Sequence, residues 1–170
     1  MRNIVIKKTI QSQVEAFLQQ GRIFFFSAPC GFGKSALAGA LLYGREALCL
    51  DAADTNFALP LSGGSGWSVL MVDNLQCIEE EETQQALCEL IRADSARRFV
   101  FLSRGAPPGY LMAYQYTGLM TVLHAEDLLF GREEIRALFR ACEVPVTDSE
   151  ITGILKESIG YPLGVAVTVQ

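Results

Sequence analysis

Apolar residues in this chain come in short solid runs, separated by stretches with helical spacing, and that alternation separates strands from helices. The runs predict five strands: Arg22 to Ser27, Glu46 to Asp51, Ser68 to Val72, Arg98 to Leu102 and Met120 to Leu123. Runs with so little polar alternation belong to strands covered on both faces. Val14, Phe17 and Leu18 share one face of a helix predicted over Gln11 to Gln20, with Thr9 as its cap and Gly21 as its stop. A second helix is predicted from Lys34 to Tyr43, and a third from Glu79 to Arg92 with Leu87, Leu90 and Ile91 on its apolar face. The stretch from Ala52 to Trp67, rich in Gly, Ser and Ala, has no period and reads as a surface loop.

Beyond Glu126 the pattern is helical only. Helices are predicted over Arg132 to Cys142, over Asp148 to Ile159 behind the capping box Thr147-x-x-Glu150, and from Pro162 onward. Strands alternating with helices imply an α/β fold, a three-layer sandwich around a five-stranded parallel sheet, over residues 1–125. Residues 126–170 then begin a small helical subdomain that is incomplete at Gln170. Ligands of such sheets bind at the carboxyl ends of the strands, where Ser27, Asp73 and Arg104 all fall.

Composition narrows the picture. With 170 residues, half of them hydrophobic and 19% charged, the chain can bury one proper core and is not disordered in general. A net charge of -5 leaves no electrostatic footprint for nucleic acid. No apolar run approaches the ~20 residues of a membrane span and no signal-peptide core follows Met1, so a cytoplasmic protein without membrane contact is expected. The five cysteines are odd in number and lack CxxC spacing, which suggests neither zinc nor a disulfide framework. Most read as small core residues. Cys30 is the exception, because it lies inside the stretch that carries the chemistry.

That stretch is Ser27-Ala28-Pro29-Cys30-Gly31-Phe32-Gly33-Lys34-Ser35. A buried strand, a glycine-containing turn and a helix N-terminus in that order gather free backbone N–H groups and the positive end of a helix dipole around one point. Gly31 and Gly33 let the backbone approach an anion, Lys34 supplies a charge for the β and γ phosphates, and the Ser35 hydroxyl is placed to ligate Mg2+. The stretch therefore reads as a phosphate-binding loop, although Ala28 stands at the position where the general G-x-x-x-x-G-K-[ST] pattern has its first glycine. Asp73, at the end of a buried strand, is the second candidate ligand of Mg2+. At Asn74 many P-loop ATPases carry a carboxylate that polarises the attacking water; an amide orients water but accepts no proton, so weak or absent hydrolysis is expected. Arg104 is positioned to read the γ phosphate. Glu79 to Glu82 read as a solvated first helical turn, and His124 has no Ser or Cys partner for a triad.

With these residues in place, the chain resembles the nucleotide-binding domain of the STAND ATPases, and within them the large ATP-dependent LuxR-type transcriptional activators of the maltose-regulon type. The loop resembles that family's S-A-P-A-G-Y-G-K-T, in which alanine at the first position is ordinary. Leu50-Asp51-Ala52-Ala53-Asp54 resembles its L-D-x-x-D, and Leu102-Ser103-Arg104 with Pro107-Pro108 its T-S-R-x-x-P-P. Ala125-Glu126-Asp127-Leu128-Leu129-Phe130 with Glu133-Glu134 resembles A-E-D-L-x-F-x-x-E-E. Gly160-Tyr161-Pro162-Leu163-Gly164 resembles the G-W-P-x-G that places a proline, here Pro162, near the adenine. Two departures stand out: Asn74 replaces an acid of the family's L-D-D, and the loop from Ala52 to Trp67 is shorter than the helical insertion usual there.

The resemblance implies a switch. ADP holds a closed monomer, ATP with an inducer opens it to self-associate, and slow hydrolysis resets it. DNA would be reached only through a C-terminal domain that this chain lacks. The alternatives are an AAA+ ATPase of the replication-initiator kind, suggested by Val72-Asp73-Asn74-Leu75-Gln76; a small-molecule kinase; and a nucleotide-binding scaffold that never hydrolyses. The kinase reading needs an arginine-rich lid, whereas Arg132, Arg136 and Arg140 are spaced like a solvated helix face.

Overall fold

The computed structural model describes residues 4–60 and 66–169. In chain order these form α1 (Lys8–Gln20), β1 (Ile23–Ser27), α2 (Lys34–Leu41), β2 (Ala47–Asp51), β3 (Val69–Asp73), α3 (Glu81–Ala93), β4 (Arg98–Ser103), α4 (Met112–Tyr116), β5 (Met120–His124) and α5 (Ala125–Leu128). The helices α6 (Arg132–Ala141), α7 (Asp148–Ser158) and α8 (Pro162–Val167) follow. Single 3-10 turns at Leu75–Cys77 and Gly109–Leu111 lead into α3 and α4.

The strands form one parallel sheet in the order β2-β3-β4-β1-β5. Side chains on a strand alternate between faces, and the register turns that alternation into two layers. Phe24 beside Val100 and Phe26 beside Leu102 pack with Phe17, Leu37 and Ala38 of α1 and α2. Ile23 beside Phe99 and Phe25 beside Phe101 pack with Leu87, Leu90 and Ile91 of α3. Each such side chain withdrawn from water contributes about 1.5–3 kcal/mol. The α/β sandwich expected from the alternation is therefore the fold, with β1 and β4 buried at its centre.

Side chains satisfy the ends of two helices. The Arg22 guanidinium donates to the carbonyls of Ile91, Asp94 (2.7 Å) and Arg97 (2.9 Å), which closes the C-terminus of α3. Thr147 and Glu150 form the capping box read from the sequence: Thr147 N–H donates to the Glu150 carboxylate at 2.7 Å and Glu150 N–H to Thr147 Oγ1 at 3.3 Å. A third, smaller apolar cluster joins Ile135, Leu138 and Phe139 of α6 with Ile151 of α7 and Val165 of α8.

Several details depart from the sequence expectations. The first helix begins at Lys8, with Lys7 rather than Thr9 at its N-cap, because Ile10 is buried in the core and draws the helix upstream. The third begins at Glu81, since the 3-10 turn and the extended residues after it occupy the approach. Helices α4 and α5 have no counterpart among the predicted elements; each is too short for a period to show. Among the cysteines only Cys88 is buried, while Cys30, Cys49 and Cys77 are exposed, Cys49 lying on the edge strand and Cys77 in the 3-10 turn. Residues 61–65 of the expected loop, and Gln170, lie outside the described residues. No helix among those described is long and apolar enough to cross a membrane.

Candidate functional site

The loop from Ala28 to Gly33 leaves the buried strand β1, which lies between β4 and β5, and enters α2. Its first part is tied to the end of β4: Ala28 N–H donates to the Ser103 carbonyl (3.2 Å), and Ser27 Oγ to the Gly105 carbonyl (3.0 Å). Ala28 is buried, so its methyl belongs to the core. Pro29 and Cys30 are exposed. Gly31 and Gly33 both take positive φ, 81° and 75°, a conformation that glycine adopts without a steric cost. Gly33 is the N-cap of α2.

Lys34 is buried, and its ammonium turns back onto the loop, donating to the carbonyls of Ala28 (2.5 Å) and Pro29 (2.9 Å). Burial pushes this ammonium below its ordinary range; Asp73 and Cys30 oppose that, and Arg104 adds to it. Ser35 Oγ donates to Asp73 Oδ2 at 2.5 Å, across 38 positions of sequence. The two candidate Mg2+ ligands thus stand in contact. A hydroxyl beside a carboxylate is a pair of hard oxygen donors of the kind Mg2+ takes together with phosphate oxygens and water.

Arg104 follows β4, which lies between β1 and β3, so it stands between the loop and Asp73. It is exposed, and its backbone N–H donates to Gln76 Oε1 at 3.1 Å. Asn74 adopts the left-handed conformation at φ 53°, which asparagine tolerates better than most residues. Its backbone N–H donates to Asp73 Oδ1 (2.7 Å) and its side-chain Nδ2 to Asp51 Oδ1 (2.8 Å). That bond, and then the Ala53 N–H, hold the Asp51 carboxyl below the usual carboxylate range against a small opposing effect of burial.

Pro162, buried at the first position of α8, reaches the loop with its neighbours. The Tyr161 hydroxyl donates to the Cys30 carbonyl at 3.0 Å, and its ring meets that of Phe32 edge-on at 5.1 Å. A Cβ on Gly31 would fall on the Tyr161 hydroxyl. Between the loop, α8 and the N-terminal segment opens a cavity of about 550 Å³, apolar in its lining, with Val5, Phe32, Leu37, Pro162 and Leu163 among its walls.

All the residues expected at the site gather at the carboxyl ends of β1, β4 and β3 or at the neighbouring start of α8. Sequence reasoning passed over Asp51, Gln76 and Tyr161 as site residues. Asp51 carried a signal, since it ends an apolar run just as Asp73 does, and the two stand in register on adjacent strands. Gln76 carried none. Glu79 to Glu82 are exposed, as a solvated turn is. The exposed His124 donates its backbone N–H to Asp127 at the start of α5. Arg132 and Arg136 pair with Asp148, and Arg136 also with Glu133, on the surface of the helical region.

No protein-family model matches the sequence, and the search of curated proteins returned no relative. Solved structures are similar in fold. A Signal Transduction ATPase with Numerous Domains with a tetratricopeptide repeat sensor, PH0952 from Pyrococcus horikoshii, aligns at TM-score 0.64 and 13% identity over 98% of this chain and 30% of its own. A DNA replication initiation factor aligns at 0.61 and 11% over 98% of this chain and 61% of its own. A variant of Thermotoga maritima RuvB aligns at 0.62 and 15% over 97% of this chain and 61% of its own. The chain thus spans between 30% and 61% of the length of these proteins. Its five-stranded parallel α/β architecture is that of the P-loop NTPases.

Proposed function

We propose that this chain is the ATP- and ADP-binding switch domain of a LuxR-type STAND transcriptional regulator, with weak or no ATP hydrolysis. The observation that carries nucleotide binding is the contact of Ser35 with Asp73 at the end of a loop whose Gly31 and Gly33 are both left-handed. Ser35 and Asp73 would hold Mg2+, which when bound neutralises charge on the β and γ phosphates. The backbone N–H groups of the loop and the N-terminus of α2 bind the phosphates. Lys34 exchanges its two carbonyl partners for phosphate oxygens, and Arg104 approaches the γ phosphate from the end of β4. The apolar cavity walled by Pro162 suits a nucleobase, whose flat faces favour such a lining.

The STAND reading rests on the motif resemblance, including Gly160-Tyr161-Pro162, together with the fold shared with PH0952. In it the helical residues 126–170 begin a lid over the nucleotide, self-association belongs to the ATP state of the longer protein, and DNA is reached through another domain. An AAA+ ATPase of the replication-initiator kind is the second reading, favoured by the similarity to the replication initiation factor and by Gln76 bridging Asn74 and Arg104.

Titration calorimetry of the chain with ATP and ADP, with and without Mg2+, tests the proposal. Micromolar or tighter binding, lost in Lys34→Ala and weakened for the Mg2+ complex in Ser35→Ala, is the expected result. Folded protein that binds neither nucleotide would overturn it.

A further inference from the structure

The backbone around Tyr161 is held at three points before its side chain reaches the loop. Its N–H donates to the Ser158 carbonyl (2.9 Å), and its carbonyl accepts from the Val165 N–H in the first turn of α8 (3.0 Å). The preceding residue, Gly160, lies so close to Phe130 that a Cβ there would fall on the Phe130 carbonyl, and the Phe130 N–H donates to the Gly160 carbonyl (2.8 Å). Phe130 follows α5, which begins where β5 ends, and β5 is the neighbour of β1. The phenol is thus placed from the same end of the sheet that the loop leaves.

The Tyr161 hydroxyl donates to the Cys30 carbonyl at 3.0 Å, with its ring edge-on to that of Phe32 at 5.1 Å. That carbonyl belongs to the Cys30–Gly31 peptide. A peptide group is planar and trans, so its C=O and its N–H point in opposite directions. With the Cys30 carbonyl turned to Tyr161, the Gly31 N–H faces away from it. The hydroxyl therefore fixes a donor that it does not touch. The Gly31 N–H makes no backbone hydrogen bond among the described residues, and a peptide beside glycine turns more easily than others because both signs of φ are open to it. The bond from Tyr161 is what holds this plane from outside the loop. It can form only because position 31 has no side chain, since a Cβ there would fall on the Tyr161 hydroxyl.

We propose that Tyr161 is a positioning residue for phosphate binding, its hydroxyl holding the Cys30–Gly31 peptide with the Gly31 N–H turned to the anion; the inference rests on the reading of the chain as a nucleotide-binding domain. Lys34 attracts phosphate as a charge, whereas Tyr161 acts through the direction of a backbone dipole. A peptide released from the phenol presents its carbonyl to the phosphate for part of the time, and an acceptor facing an anion repels it. The arm comes from the helical region, so seating of the first turn of α8 contributes to affinity at a loop that lies 131 positions earlier.

The test is calorimetry with Mg-ADP and nitrogen-resolved NMR of the Gly31 amide on the full chain, in the parent, in Tyr161→Phe and in Ile151→Val. Tyr161→Phe keeps the ring on Phe32 and removes only the hydroxyl, while Ile151→Val loosens the helical cluster by a comparable amount without touching the loop. Tyr161→Phe is expected to bind Mg-ADP about threefold to tenfold more weakly, the scale of one net hydrogen bond, and its Gly31 amide signal should move less on saturation than the parent's. Ile151→Val should bind within about twofold of the parent, as a site without shared partners does. Binding by Tyr161→Phe as tight as the parent's or tighter, a Gly31 signal that stays in place when the parent is saturated, or an equal loss of affinity in Ile151→Val would each overturn the proposal while leaving nucleotide binding intact. A folded parent that binds no Mg-ADP overturns the nucleotide reading, and this inference with it.

Discussion

In the α/β body, Phe24, Phe25, Phe26, Phe99 and Phe101 are almost entirely withdrawn from solvent, each between neighbouring strands and a covering helix. In the helical region Ile135, Leu138, Phe139, Ile151 and Val165 form a smaller buried cluster, and Ile159, Leu163 and Val167 lie exposed beside it. The body carries the loop from Ala28 to Gly33 on its deeply packed strands β1 and β4. The helical region meets that loop through a few contacts: Tyr161 on Cys30 and Phe32, with the hydrogen bond from Phe130 N–H to the Gly160 carbonyl (2.8 Å) fixing the turn before α8. A deeply packed body and a lightly held helical region differ in how readily each opens locally.

The comparison is broken most forcefully by Phe101→Ala. Its cavity at the sheet centre should cost about 3–5 kcal/mol in urea unfolding, and the loop from Ala28 to Gly33 should lose its protection from hydrogen exchange together with β1 and β4. Ile151→Ala should cost about 2–4 kcal/mol locally, with faster exchange confined to α6, α7 and α8. Equal loss of protection in β1 would show that the two regions unfold as one unit. Tyr161→Phe removes a single hydrogen bond to the loop and should cost about 0.5–1.5 kcal/mol, read as a lowered melting temperature and faster exchange at the Gly31 amide. The smallest effect concerns α7. Its Thr147 side chain, and then the Thr147 N–H, hold the Glu150 carboxyl below its ordinary value of 4.5. A lowered folded-state pKa gives stabilisation that is present above that ordinary value and lost as pH falls through the folded one. The melting difference between the parent and Glu150→Gln should thus be positive near neutral pH and shrink as the solution is made acidic.

The fold was legible because β1 and β4 are apolar almost without interruption, and because the glycines, lysine and serine of the loop follow β1 at a spacing with a direct physical meaning. The left-handed glycines at 31 and 33 were legible for the same reason. Helices α4 and α5 were not, since four or five residues cannot display a 3.6-residue period. The exposed position of Cys49 was not either, because burial depends on which strand lies at an edge, and strand order is absent from any local pattern.

Local sequence determined the longer elements and the course of the loop, because propensity, period and turn residues act within a few positions of one another. The tertiary structure alone decided which acids meet. Asp51 and Asp73 come into register only because β2 pairs with β3, and Gln76 reaches Arg104 only because β4 lies alongside. The same holds for Tyr161, brought onto Cys30 across 131 positions. Side-chain hydrogen bonds act over about 3 Å, so their partners are chosen by packing rather than by distance along the chain.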